Sequence, residues 1–95
     1  MDCGEISFSE HALKRMFERQ IPPEAVAQAI AQGEVIVSYA DDEPFPSYLL
    51  LWFVDGSPVH AVVARDEESR HCIVVTVYRP ATDRWNRDFR TRRVL

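Results

Sequence analysis

The sequence is sparing in the residues that build the most recognisable sites. It has two cysteines, Cys3 and Cys72, far apart in the chain. From the sequence they make neither a disulfide framework nor a zinc site. Three glycines leave no glycine-rich phosphate loop. The longest apolar run is Tyr48–Val54, far short of the ~20 residues a membrane helix needs, so no membrane association is expected. The opening residues, Met1–Glu5, lack the basic start and apolar stretch of a secretion signal, which predicts a cytoplasmic protein. The acids at 41–43 are consecutive loop residues, a poor metal constellation. No metal and no cofactor are expected.

What is present is one globular domain, residues 1–95, with 46% hydrophobic and 27% charged residues. The net charge of -4 hides an asymmetry. Residues 1–60 carry a net -7, whereas residues 79–95 hold six arginines against two acids. Lys14 is the one lysine. Arginine presents a planar fork of donors that matches phosphate and carboxylate. The Arg-rich tail, 80–95, reads either as a solubilising segment or as the contact for an anionic partner, nucleic acid or an acidic protein surface, and the second is the expectation.

Ser9 is a good helix N-cap, and Ala12, Leu13, Met16 and Phe17 follow at helical spacing, predicting a helix over 10–19. Pro22-Pro23 breaks it, and a second helix over 23–32 ends near Gly33. After Gly33 the period becomes two. Strands are predicted over 35–39, 48–54, 59–65 and 72–79, with Asp55-Gly56 as a hairpin turn. The expected fold is α+β: an N-terminal helical hairpin on one face of a four-stranded antiparallel sheet. The second face then needs a cover, and Trp85 and Phe89 could anchor the tail across it.

Histidines, arginines and a tyrosine suit RNA cleavage through the RNA's own 2′-OH. One group removes the hydroxyl proton, another protonates the leaving 5′-oxygen, and arginine stabilises the phosphorane. His11 sits in a helix first turn near Arg15, a setting for a neutral imidazole acting as a base. It is the candidate general base or acid. His60 is its possible counterpart, although a lone histidine in an apolar strand also reads as a satisfied core residue. Arg15 and Arg19 form a phosphate clamp and Tyr78 is an auxiliary donor. Arg79, Arg90, Arg92 and Arg93 are expected as further RNA contacts; Thr76 shares a face of the last strand with Tyr78 but also reads as an ordinary strand residue.

The segments Ser9–Arg19, Ile21-Pro22, Gly33–Ile36, Tyr48–Leu51, Asp55–Val63, Ile73–Pro80 and Asp83–Trp85 resemble the domain-of-unknown-function family DUF4258. That family is similar to RelE-like and BrnT-like toxins, which cleave messenger RNA, and its members often lie beside an MqsA-type zinc-finger antitoxin. The resemblance implies a RelE/barnase-like toxin fold and carries over His11, Arg15, Arg19, His60, Thr76 and Tyr78. It implies RNA, including ribosome-bound messenger RNA, and an antitoxin protein as partners. The expected function is a metal-independent endoribonuclease toxin. The alternative is a non-catalytic protein-binding or homodimeric module of the same fold.

Overall fold

Ser9 starts the first helix: its backbone is extended and its hydroxyl accepts a hydrogen bond from the Ala12 N–H at 3.0 Å, satisfying one of the free donors of the first turn. The computed structural model describes residues 1–94 and places helix α1 at Glu10–Arg19 and helix α2 at Pro23–Gln32. Gln20 closes α1 in the left-handed region at φ 56°, and the Ile21 N–H returns to the Met16 carbonyl. Pro23 sits in the first turn of α2, where a missing N–H is harmless. Ala12 and Met16 of α1 and Ala25, Val26, Ala29 and Ile30 of α2 are buried.

Gly33 ends α2 for reasons of space. Its φ is -70°, open to any residue. A Cβ there would lie 2.3 Å from the Ala29 carbonyl oxygen and 2.9 Å from that of Leu51. Only glycine lets the helix run so directly into the sheet.

The strands are β1 (Glu5–Phe8), β2 (Glu34–Tyr39), β3 (Ser47–Val54), β4 (Ser57–Arg65) and β5 (His71–Tyr78), in the order β1-β5-β4-β3-β2. From β2 to β5 consecutive strands pair antiparallel. Asp55 and Gly56, at φ 50° and 81°, form the two-residue turn between β3 and β4, a twist that matches the flanking strands. β1 pairs with β5 in parallel, from Glu5 opposite His71 to Phe8 opposite Val74.

The expected four-stranded antiparallel sheet under a helical hairpin is therefore corrected. The sheet is five-stranded and mixed, and each helix packs on the sheet: α1 over β5, α2 over β3 and β4. The extra strand is four residues, Glu-Ile-Ser-Phe, too short for its alternation to stand out. Its partner lies some 65 residues away, so no turn advertises the pairing. A sheet this wide gives each helix its own strands; of the apolar arc of α1, Ala12 and Met16 face the sheet while Leu13 and Phe17 are exposed.

β1 has a second consequence. By pairing with the start of β5 it brings Cys3 beside Cys72, and the two form a disulfide with Cα atoms 5.8 Å apart. Two cysteines that compose no framework thus make one bridge, which the long separation concealed.

Leu50, Val59, Ala61, Val63, Val74 and Val77 line the sheet face under the helices. Leu49, Leu51 and His60 are buried on the other face. The tail closes that face. Trp85, only 5% exposed, meets the His60 ring edge-on at 4.5 Å, and Phe89 meets Phe53 at 6.4 Å. Leu95, the end of the expected tail, lies outside the described residues. Among the described residues no helix is long and apolar enough to cross a membrane.

Candidate functional site

The site begins where β1 stops. Among the described residues no strand pairs with the outer edge of β5 beyond Val74, and Ser9 takes the place. Its N–H bonds the Val74 carbonyl at 3.0 Å, and its hydroxyl donates to the Val75 carbonyl at 2.9 Å. The N-terminus of α1 is thereby fastened to the edge of β5. His11 follows within one turn, with Nε2 3.0 Å from Thr76 Oγ1. Val62 pairs with Thr76 and Val63 with Val74, so Val75 is an extra residue in β5. This bulge turns Thr76 and Tyr78 toward the face that carries His60.

The arginines of α1 divide. Arg15 pairs with Glu18 at 2.8 Å on the exposed side of the helix. Arg19, at the far end, borders a cleft of about 570 Å³ with Tyr78, Arg79, Arg84, Trp85 and Arg92. Asp83 is the acid on this lining, against four arginines. Arg79 donates to the Arg19 carbonyl at 3.4 Å, and the Arg92 guanidinium lies 5.3 Å from the centre of the Trp85 ring. A second cleft of about 410 Å³ adjoins it, sharing Tyr78, Trp85 and Arg92, with Val37, Tyr39 and Leu49 beneath.

His60 is fully buried between sheet and tail. Its Nε2 is 2.8 Å from the Phe89 carbonyl and therefore carries the proton. Burial pushes its pKa down, so Nδ1 is unprotonated and accepts from the Tyr78 hydroxyl at 3.2 Å. Both nitrogens are occupied, and the ring has no open path to a substrate. Its geometry is that of an anchor for the tail. Burial raises the pKa of Tyr78, and its proton points at His60, which makes it a poor acid toward anything in the cleft.

The tail is a folded loop. Trp85 bridges Arg92, and the Asp88 carboxylate accepts from the backbone N–H groups of Arg90 and Thr91. Those bonds hold the Asp88 carboxyl below its usual range. Arg93 donates to the Thr82 and Trp85 carbonyls, and Arg90 pairs with Glu34 of β2 at 2.8 Å. Of the three tail arginines expected at RNA, Arg92 lines both clefts, Arg90 borders the smaller while tied to Glu34, and Arg93 holds the loop. Among the described residues no three His, Cys, Asp or Glu side chains gather as a metal-ligand set.

A family model described as a domain of unknown function, DUF4258, matches residues 8–79. The chain belongs to the DUF4258 family. No curated protein and no solved structure matches it. The DUF4258 match spans His11, Arg15, Arg19, His60, Thr76, Tyr78 and Arg79, and stops before the tail. The outer wall of both clefts, Trp85 and Arg92 with Arg84 on the larger, thus lies outside the DUF4258 segment. Arg84 and Tyr39 are cleft residues that sequence reasoning did not single out. Arg84 had a signal in its place between Asp83 and Trp85, whereas Tyr39 read as one more strand aromatic.

Proposed function

We propose that this chain is a metal-independent endoribonuclease that cleaves RNA through its own 2′-OH. The observation that carries the reading is the His11–Thr76 pair at the edge of β5, a strand whose last residue, Tyr78, lines a cleft with four arginines. The accessible His11 imidazole takes the 2′-OH proton as the 2′-oxygen attacks phosphorus. The P–O5′ bond breaks, and the leaving 5′-oxygen takes a proton from water in the open cleft. Products are a 2′,3′-cyclic phosphate and a free 5′-hydroxyl. Arg19, Arg79, Arg84 and Arg92 stabilise the charge gathering on the phosphorane. Thr76 orients the imidazole. Tyr78 serves as cleft wall, and His60 stays out of the proton transfer because the tail seals it. The resemblance to RelE-like and BrnT-like toxins supports a place in a toxin–antitoxin pair, with messenger RNA as substrate and a zinc-finger antitoxin as partner.

The test uses end-labelled RNA and its all-deoxy counterpart, both in EDTA, with RNA offered free and on ribosomes. Cleavage of RNA alone, leaving cyclic-phosphate ends, is expected. His11→Ala should slow it by about 100-fold or more with the circular dichroism unchanged. Intact RNA in both presentations rejects the reading.

One observation favours the alternative of a protein-binding module. Phe17 is 87% exposed and Leu13 48%, and with Met16, Ile21 and Pro22 they border a groove of about 610 Å³. The open sheet face expected to hold such a partner is covered by the tail, so a partner protein or second copy would seat on α1.

A further inference from the structure

The two clefts beside Tyr78 differ in chemistry. The larger is lined by Arg19, Arg79 and Arg84 and is suited to phosphate. The smaller has an apolar floor of Val37 and Leu49 and aromatic walls in Tyr39 and Trp85, with Thr91 among its rim residues. Tyr78, Trp85 and Arg92 form the partition between them. A group that fills both must be anionic at one end and flat and apolar, with polar edges, at the other.

We infer that the smaller cleft is a nucleobase subsite that takes one unpaired base of a single-stranded RNA while its phosphate lies among the arginines next door. The inference rests on the nucleic-acid reading above and adds a substrate class to it. A base in a duplex is stacked and paired on both sides, and it cannot enter a cleft walled by the sheet and the tail. Tyr39 is the platform. It is 40% exposed at the end of β2, so its ring is open to stacking without being part of the core. Asn86, Asp88 and Thr91 close the tail loop with hydrogen bonds of 2.8–3.2 Å. The Arg90–Glu34 pair ties that loop to β2. The cleft is therefore built before a ligand arrives.

The test is fluorescence anisotropy with the full chain and labelled octamers blocked at the 2′-position so that no cleavage intervenes. One octamer carries bases, one is abasic throughout, and one is annealed into a duplex. The base-bearing strand should bind roughly tenfold more tightly than the abasic strand, the scale of one base on an aromatic face. Tyr39→Ala should bring the two together by weakening only the base-bearing strand, and Tyr39→Phe should restore the gap. Arg84→Gln should weaken both strands alike. Equal binding of base-bearing and abasic strands by the wild type, or equal binding of the duplex, overturns the subsite and leaves the nuclease reading standing. An unchanged gap in Tyr39→Ala does the same. Failure of every octamer to bind overturns the subsite, and the nuclease reading then stands or falls on cleavage of ribosome-borne RNA.

Discussion

The contact between His60 and the tail predicts a pH dependence whose sign and window can be worked out. His60 is fully buried, and burial lowers its pKa below the ordinary value of about 6.5. In the unfolded chain the imidazole titrates at that ordinary value. Between the two pKa values the unfolded chain binds the proton and the folded chain does not. Stability therefore falls as pH drops below about 6.5 and levels off only below the folded pKa. The slope approaches 1.36 kcal/mol per pH unit at its steepest. From pH 7.5 to 5.5 the loss is at most about 1.4 kcal/mol, the limit set by one imidazole that does not protonate in the folded chain. The carboxylates with lowered pKa values, Glu34, Asp66 and Asp88, respond at lower pH. Protonation would also give Nδ1 a hydrogen where it now accepts from Tyr78. Urea titrations followed by tryptophan fluorescence at several pH values would measure the slope. His60→Gln should be less stable at pH 7.5 and should show a nearly flat profile. A variant profile as steep as that of the wild type would refute the assignment of this slope to His60.

Two further substitutions probe the frame of the site. Leu50→Ala removes a side chain with no exposure at the centre of β3 and should cost about 2–5 kcal/mol in a urea titration; a loss under about 1 kcal/mol would show the core centred elsewhere. Gly33→Ala drives a methyl into the Ala29 and Leu51 carbonyls and should cost about 1–3 kcal/mol by thermal melting; a neutral result would mean that the α2–β2 junction yields freely.

Local signals were legible in the sequence where one element carries its own signature. Ser9 with the spacing of Ala12 and Met16 reads as a capped helix, and the structure has α1 at Glu10–Arg19. Asp55-Gly56 reads as a tight turn because few other pairs adopt two positive φ angles cheaply. Glu5–Phe8 was illegible because its pairing is a property of two distant segments. Cys3–Cys72 follows from that pairing and was hidden with it. Part of the site was visible by residue type, in His11, Thr76 and Arg19. The bulge at Val75 that sets which way Thr76 and Tyr78 point leaves no mark in the local pattern. The tail's composition suggested free arginines, whereas the folded loop spends Arg93 on its own carbonyls and Arg90 on Glu34.

The pairing of β1 with β5 also has a consequence in time. His11 is made 65 residues before Thr76, an interval of roughly 3–13 s at ordinary synthesis rates of 5–20 residues per second. Through that interval α1, α2 and the β2–β4 meander can form from near neighbours. The strand that receives β1, fixes Ser9 and supplies Thr76 and Tyr78 does not yet exist. Both clefts lack Tyr78 until β5 is complete, and lack their outer wall until the tail has followed. A chain still being made thus lacks the His11–Thr76 pair and both clefts, however much of it has already folded.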